Sequence, residues 1–298
     1  MNDLLTHGRI IGGVIATPDV EAALADYRDR PDLELIEDGP VPADLAASWA
    51  APGIADTRMA TLRPKSGAHC FLRLVEQPVP AGFRPTRSFG WAAYELTVKD
   101  VYGWPARLDG SGFEIVGPPK PIEGLPYFVP MQVVGRGREM LYLNEVACDT
   151  PSSDLPKARS LTDHVFIVIL ATADREAAMR WYQERLGLDV GGVYTLEYTM
   201  INKAFELPAG TQSTISMLQK GRLPIVEVDG YPDSATVRET GPGLLPPGNA
   251  LVTLAVETLP EGLDWIARPT ARQAAIYGGR RAATVRGPAG ELLELVEI

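Results

Sequence analysis

The chain is poor in the residues from which most recognisable chemistry is built. Two cysteines, Cys70 and Cys148, are too few for a disulfide framework and lack the paired spacing of a metal site. Three histidines, His7, His69 and His164, leave scant material for a catalytic triad, and no serine stands in a G-x-S-x-G setting. There is no Gly-rich phosphate loop of the dinucleotide or nucleoside-triphosphate kind. Long apolar runs are missing too: Val165 to Ala171 falls far below the roughly 20 residues needed to span a bilayer. The run IIGGVIA (10–16), preceded by Arg9, imitates a signal segment, but Pro18, Asp19 and Glu21 start a helix after it. Basic charge is outnumbered, with 28 Lys and Arg against 38 Asp and Glu and a net charge of −10. Nucleic-acid binding is driven mainly by a basic footprint, which this chain lacks. The expectation is a soluble, cytoplasmic protein with a small-molecule substrate and neither a nucleic-acid nor a membrane partner; a homodimer is compatible with it.

What the chain does have is repetition. Residues 163–190 read as a buried strand rich in β-branched residues, then a helix capped by Asp174 and stopped by Gly187, then a second strand. Ala178, Trp181, Tyr182 and Arg185 recur at spacings of three and four along that helix, giving it one largely apolar face. A shift of 155 positions sets Ala16, Thr17, Asp19, Glu21, Ala22, Ala23, Tyr27 and Arg30 on Ala171, Thr172, Asp174, Glu176, Ala177, Ala178, Tyr182 and Arg185. Eight ungapped identities in fifteen positions mark an internal duplication. EMLYLNEV (139–146) and ELLELVEI (291–298) echo one another in the same way, as alternating strands.

Taken in order, the chain divides into four strand–helix–three-strand units. The first holds strands at 9–17, 33–38, 59–64 and 69–77; a proline-rich linker at 79–85 leads to the second, which opens at 88–98. In the third, VYTLEYTMI, TISMLQ and LPIVEVDGY are expected as strands. In the fourth, LPEGLDWIA is expected as the helix and RQAAIYG as a strand. The polar stretch 149–160 is the natural boundary, so two domains are expected, 1–148 and 160–298. The long loop 231–248 is of a length that is usually functional or mobile.

This layout, with G-P-A-G-E-L-L-E-L (287–295) similar to a D-P-x-G-N-x-x-E-L closing strand and His164 heading an opening strand, resembles the vicinal oxygen chelate superfamily of glyoxalases, bleomycin-resistance proteins and extradiol dioxygenases. The resemblance covers nearly the whole chain. It implies an α+β fold of four βαβββ modules paired into two similar cupped-sheet domains, in the layout of the extradiol dioxygenases. It also implies a divalent metal (Fe, Mn, Ni or Zn) held by the opening and closing strands of one cup. Carried over residue by residue, the C-terminal domain offers His164, Glu227 and Glu294 as metal ligands, with Ala250 in the fourth place. The same positions of the N-terminal domain are Arg9, Arg73, Gly90 and Tyr142, which implies a degenerate scaffold.

On this resemblance Glu227 or Glu294 would act as catalytic base, and Tyr198 and Tyr277 would touch substrate. The implied activity is a metal-dependent isomerase or lyase acting on vicinal oxygens of a small organic compound. A metal-free binding protein of the resistance type is the alternative, favoured by Ala250. Ring-cleaving dioxygenase activity comes third, because Thr284 and Gly287 replace the tyrosine and aspartate of that signature and no histidine precedes them.

Overall fold

The structure is a computed structural model and describes residues 5–298. The first module comprises β1 (Ile10–Thr17), α1 (Val20–Asp29), β2 (Leu33–Pro40), α2 (Ala43–Ser48), β3 (Arg58–Pro64) and β4 (Phe71–Glu76). The second holds β5 (Gly90–Val98), the short α3 (Trp104–Arg107), β6 (Glu114–Gly117), β7 (Phe128–Val134) and β8 (Met140–Val146). The third runs through β9 (Thr162–Thr172), α4 (Arg175–Leu186), β10 (Asp189–Glu197), α5 (Thr199–Phe205), β11 (Gln212–Lys220) and β12 (Leu223–Gly230). The fourth has β13 (Gly248–Val256), β14 (Thr270–Ala271), β15 (Arg281–Arg286) and β16 (Leu292–Glu297). Among the described residues, no helix is long and apolar enough to cross a membrane.

The duplicated caps form as expected. Asp19 accepts from the Ala22 amide and Asp174 from the Ala177 amide, each at 2.9 Å, satisfying a free donor of the first turn. Gly187 ends α4 with a φ of 60°, in the left-handed region that costs glycine least. Other expectations need correction. The segment Thr199–Met200–Ile201 leaves the strand and becomes α5, packing Met200, Ile201 and Phe205 inward. LPEGLDWIA is not helical and RQAAIYG is not a strand: the fourth module crosses this region in turns, delivering Ile276 and Tyr277 into a core. The apolar spacing is there, but no capped helix forms around Pro260 and Gly262.

The larger correction concerns which modules pair. The strands form two eight-stranded mixed sheets, ordered β14-β15-β16-β13-β1-β4-β3-β2 and β10-β11-β12-β9-β5-β8-β7-β6. The first module therefore shares a sheet with the fourth, through antiparallel β1 and β13, and the second with the third, through antiparallel β5 and β9. Residues 1–148 and 160–298 do not each make one sheet; each contributes half of both. Two similar cupped sheets result, as expected, but from exchanged modules rather than consecutive ones.

The sheets share one large core and keep a separate core in each cup. Tyr94 on β5 reaches across to the other sheet, its hydroxyl 2.8 Å from the carbonyls of both Val14 and Leu251. The ring lies on Gly13, where a Cβ would meet Tyr94 Cε2 at 2.6 Å, so glycine permits the close approach. Trp91 Nε1 donates to the Leu292 carbonyl at 2.7 Å in the same interface. The helices are tied down by a repeated device. Tyr27 on α1 donates to Glu139 at 2.8 Å, and Tyr182 on α4 donates to Glu291 at 2.7 Å.

Both carboxyls are buried at the start of a closing strand. Gly135 and Gly287 leave room for them, since a Cβ at either would overlap the carboxylate. Burial raises the pKa of Glu139 to about 7 and that of Glu291 to about 6. Removing either tyrosine hydroxyl takes one donor from a buried carboxyl and leaves only backbone amides, so Tyr27→Phe and Tyr182→Phe should each lose about 1–3 kcal/mol. Urea denaturation measures this; a loss at only one of the two positions would show that the latches are not equivalent.

Candidate functional site

Each cup is lined by its four central strands, and their cross-strand neighbours define its floor. In the first cup these are Val14 on β1, Arg73 on β4, Thr253 on β13 and Glu294 on β16, matched as Val14 with Arg73 and Thr253 with Glu294. In the second they are Glu95 on β5, Tyr142 on β8, Ile169 on β9 and Glu227 on β12, matched as Glu95 with Tyr142 and Ile169 with Glu227. Glu227 and Glu294 thus belong to different cups. His164 stands five residues before Ile169 on β9, roughly 16 Å along the strand at about 3.3 Å per residue. Its ring is 3.3 Å from Arg9 Nη2 and 3.6 Å from Asp163. The expected triad of His164, Glu227 and Glu294 does not converge, because module exchange separates its members. Ala250 lies buried in the first cup, away from Glu227.

The first cup is closed by its own side chains. Arg73 and Glu294 are each 1% exposed. Glu294 accepts from Trp49 Nε1, from the Tyr277 hydroxyl and from Thr253 Oγ1, all at 2.9 Å. Arg73 donates to the same Tyr277 hydroxyl at 2.8 Å and lies between two rings, 4.8 Å from that of Tyr277 and 5.7 Å from that of Trp49. Burial works against the charge on Arg73, and the proximity of Tyr277 and Glu294 more than offsets it. Both oxygens of Glu294 are engaged, and a guanidinium occupies the matching place, so this donor set does not fit a divalent cation. Tyr277, expected as a substrate contact, instead links arginine to glutamate.

The second cup has carboxyls and no cation to balance them. Glu95, Glu227 and Asp229 are all buried, and none makes an ion pair among the described residues. Asn144 Nδ2 donates to Glu95 at 2.9 Å, and Tyr198 donates to Glu227 at 3.1 Å, with the Tyr142 hydroxyl a further 3.1 Å from that of Tyr198. Asp229 lies in hydrogen-bonding reach of Glu227. Asp229 Oδ1 and Asn144 Oδ1 have no protein partner among the described residues. Burial first, then the neighbouring carboxylates, hold Glu95 and Asp229 well above the ordinary range; burial raises Glu227 to about 7. Around the carboxyls stand Tyr231 and, from α5, Met200, Ile201 and Phe205.

Of the expected site residues only Glu227 and Tyr198 meet here. Glu95, Asp229 and Asn144 escaped the sequence reading. The signal available was acidic residues inside otherwise apolar strands, YELTV and VEVDG, where an unpaired charge is costly. No group of three His, Cys, Asp or Glu residues among those described is arranged to hold a metal ion.

The buried arginine and glutamate of the first cup set one expectation. Arg73→Leu should cost about 3–5 kcal/mol, because it leaves Glu294 buried and unbalanced, while Arg73→Leu combined with Glu294→Leu should cost less than the sum of the single changes. Strict additivity in urea melts would contradict the coupling. The carboxyls of the second cup and of the two latches set another, since they hold protons in the folded chain that the unfolded chain has released. Their contribution to stability is therefore greatest below the ordinary carboxyl value of 4.5 and declines as pH rises towards about 7, with Glu227 alone contributing on the order of 3 kcal/mol. Glu227→Gln should flatten the dependence of the urea midpoint on pH between 5.5 and 8; a wild-type midpoint that rises over that interval would contradict it.

No family model matches the chain, and no curated protein matches it. Solved structures do. Glyoxalase I from Zea mays is 17% identical, with a TM-score of 0.61 over 97% of this chain and 92% of its own. A point mutant of that enzyme is 18% identical, with a TM-score of 0.62 over the same 97% and 92%. A putative dioxygenase from Bacillus subtilis is 9% identical, with a TM-score of 0.60 over 99% and 86%. At these identities the likeness is one of fold: this chain shares with those structures an architecture of repeated modules paired into two cupped sheets.

Proposed function

We propose that this chain binds a small organic cation or amine in the second cup without a metal ion. The observation that carries the reading is the buried set Glu95, Glu227 and Asp229, unbalanced by any basic side chain among the described residues and walled by tyrosines and the apolar face of α5. Buried carboxylates are costly unless paired, and a ligand that supplies positive charge or N–H donors would pair them. The aromatic wall suits the apolar body of such a ligand. Metal-dependent isomerase or lyase chemistry loses its support, because neither cup offers a fitting donor set. Ring cleavage loses it for the same reason, together with the missing signature residues.

A cation requires the cluster in its ionised form, and Glu227 ionises near pH 7. Binding should therefore tighten as pH rises from 6 to 8, and it should release protons. Calorimetry with benzylamine, benzyl alcohol and benzoate tests this. The amine is expected to bind saturably, the other two more weakly, and Glu227→Gln should weaken the amine by about tenfold or more. Preference for benzoate would overturn the reading. So would stoichiometric uptake of Mn or Zn ions that is abolished by Glu227→Ala.

A further inference from the structure

The two linkers that carry the chain from one sheet to the other meet in a cleft outside both cups. Ser88 pairs with Thr236 in an isolated parallel bridge, the Phe89 amide donates to the Thr236 carbonyl at 3.0 Å, and the Thr236 amide donates to the Arg87 carbonyl at 3.1 Å. Between them opens a half-enclosed cavity of about 500 Å³. Arg84, Arg87 and Arg238 line it, with Ser88 and Thr236, and a single acidic residue, Glu239. None of the three arginines makes an ion pair among the described residues, in a chain whose net charge is −10.

The arginines are held in place by other means. Arg238 donates through Nε to Ser88 Oγ at 3.0 Å and through one Nη to the Asn249 carbonyl at 3.1 Å, with its guanidinium 5.6 Å from the centre of the Phe83 ring. Arg87 lies 5.5 Å from the centre of the Phe205 ring. Guanidinium planes fixed on aromatic faces keep their outer N–H groups free for an oxygen acceptor. Arrangements of this kind match phosphate and carboxylate oxygens, since a charge-assisted hydrogen bond is roughly twice as strong as a neutral one.

We propose that this cleft binds a small doubly charged oxyanion, a phosphate monoester or a dicarboxylate. Burial lowers the Arg238 pKa to about 10, which leaves the group charged at neutral pH and rewards an anion beside it. The cleft adjoins the second cup, since Arg87 lies on Phe205, but its arginines are distinct from the carboxyls of that cup, so the proposal does not rest on the cation reading above.

Calorimetric titration with inorganic phosphate and with malonate tests the proposal, with acetate and sodium chloride at matched ionic strength as controls. Saturable one-to-one binding of phosphate or malonate is expected, weaker for acetate and absent for chloride; the stronger of the two dianions identifies the class. Arg84→Gln and Arg87→Gln are the informative variants, because neither guanidinium hydrogen-bonds to another described residue, whereas Arg238 also secures the linker. Each should weaken the dianion by about tenfold, the pair should abolish binding, and Glu227→Gln should leave it unchanged. Binding that chloride reproduces, or that survives in the Arg84→Gln/Arg87→Gln variant, would overturn the proposal.

Discussion

The antiparallel pairing of β1 with β13 and of β5 with β9 is the constraint on which the rest of the molecule depends. It makes each cup from one early and one late module, so every site residue has a partner far away in the chain. It also sets the two sheets against each other across a common core, stitched by Tyr94 and Trp91. Linkers that must cross from sheet to sheet then run side by side, which is why residues 80–89 and 234–239 enclose a cleft at all. Separating the modules would undo both cups at once.

The duplication has produced two cups with opposite fates. At matched positions one holds Arg73 facing Glu294 and the other holds Tyr142 facing Glu227. In the first, a basic and an acidic side chain have been joined through Tyr277, with Trp49 and Thr253 completing the donors to the glutamate. In the second, no basic residue among those described pairs with the carboxyls, which remain, partly protonated, behind a tyrosine. What differs is the charge balance: one is satisfied within the chain, and the other invites charge from outside.

Much of this is legible in the sequence. The offset of 155 residues identifies the repeated cap, and Asp19 and Asp174 perform the same task in both copies. Alternation places the closing strands, and Arg73 and Tyr142 fall at the ligand-type positions to which the repeat assigns them. The pairing of modules is not legible, because local pattern sets the strands but not their neighbours when the connecting linkers are long enough to reach either sheet. That one ambiguity misassigns the metal set: His164 and Glu294 are sound positions in their own strands, joined to the wrong partners. The burial of Glu291 is not legible either, because its latch depends on Tyr182, more than a hundred residues away. Glu95 and Asp229 are marked only by being acidic in apolar strands, and that they share one cup emerges only when β5 and β12 are brought together around β9.

The central claim is that Glu227 stands in a buried acidic cup with no balancing cation. Carbon-13 carboxyl NMR of the selectively labelled protein, followed from pH 4 to 9, measures that directly. The account predicts that the Glu227 resonance titrates with an apparent midpoint near 7, in two coupled steps shared with Asp229. A single midpoint below about 5, the behaviour of an exposed or cation-paired carboxylate, would contradict it.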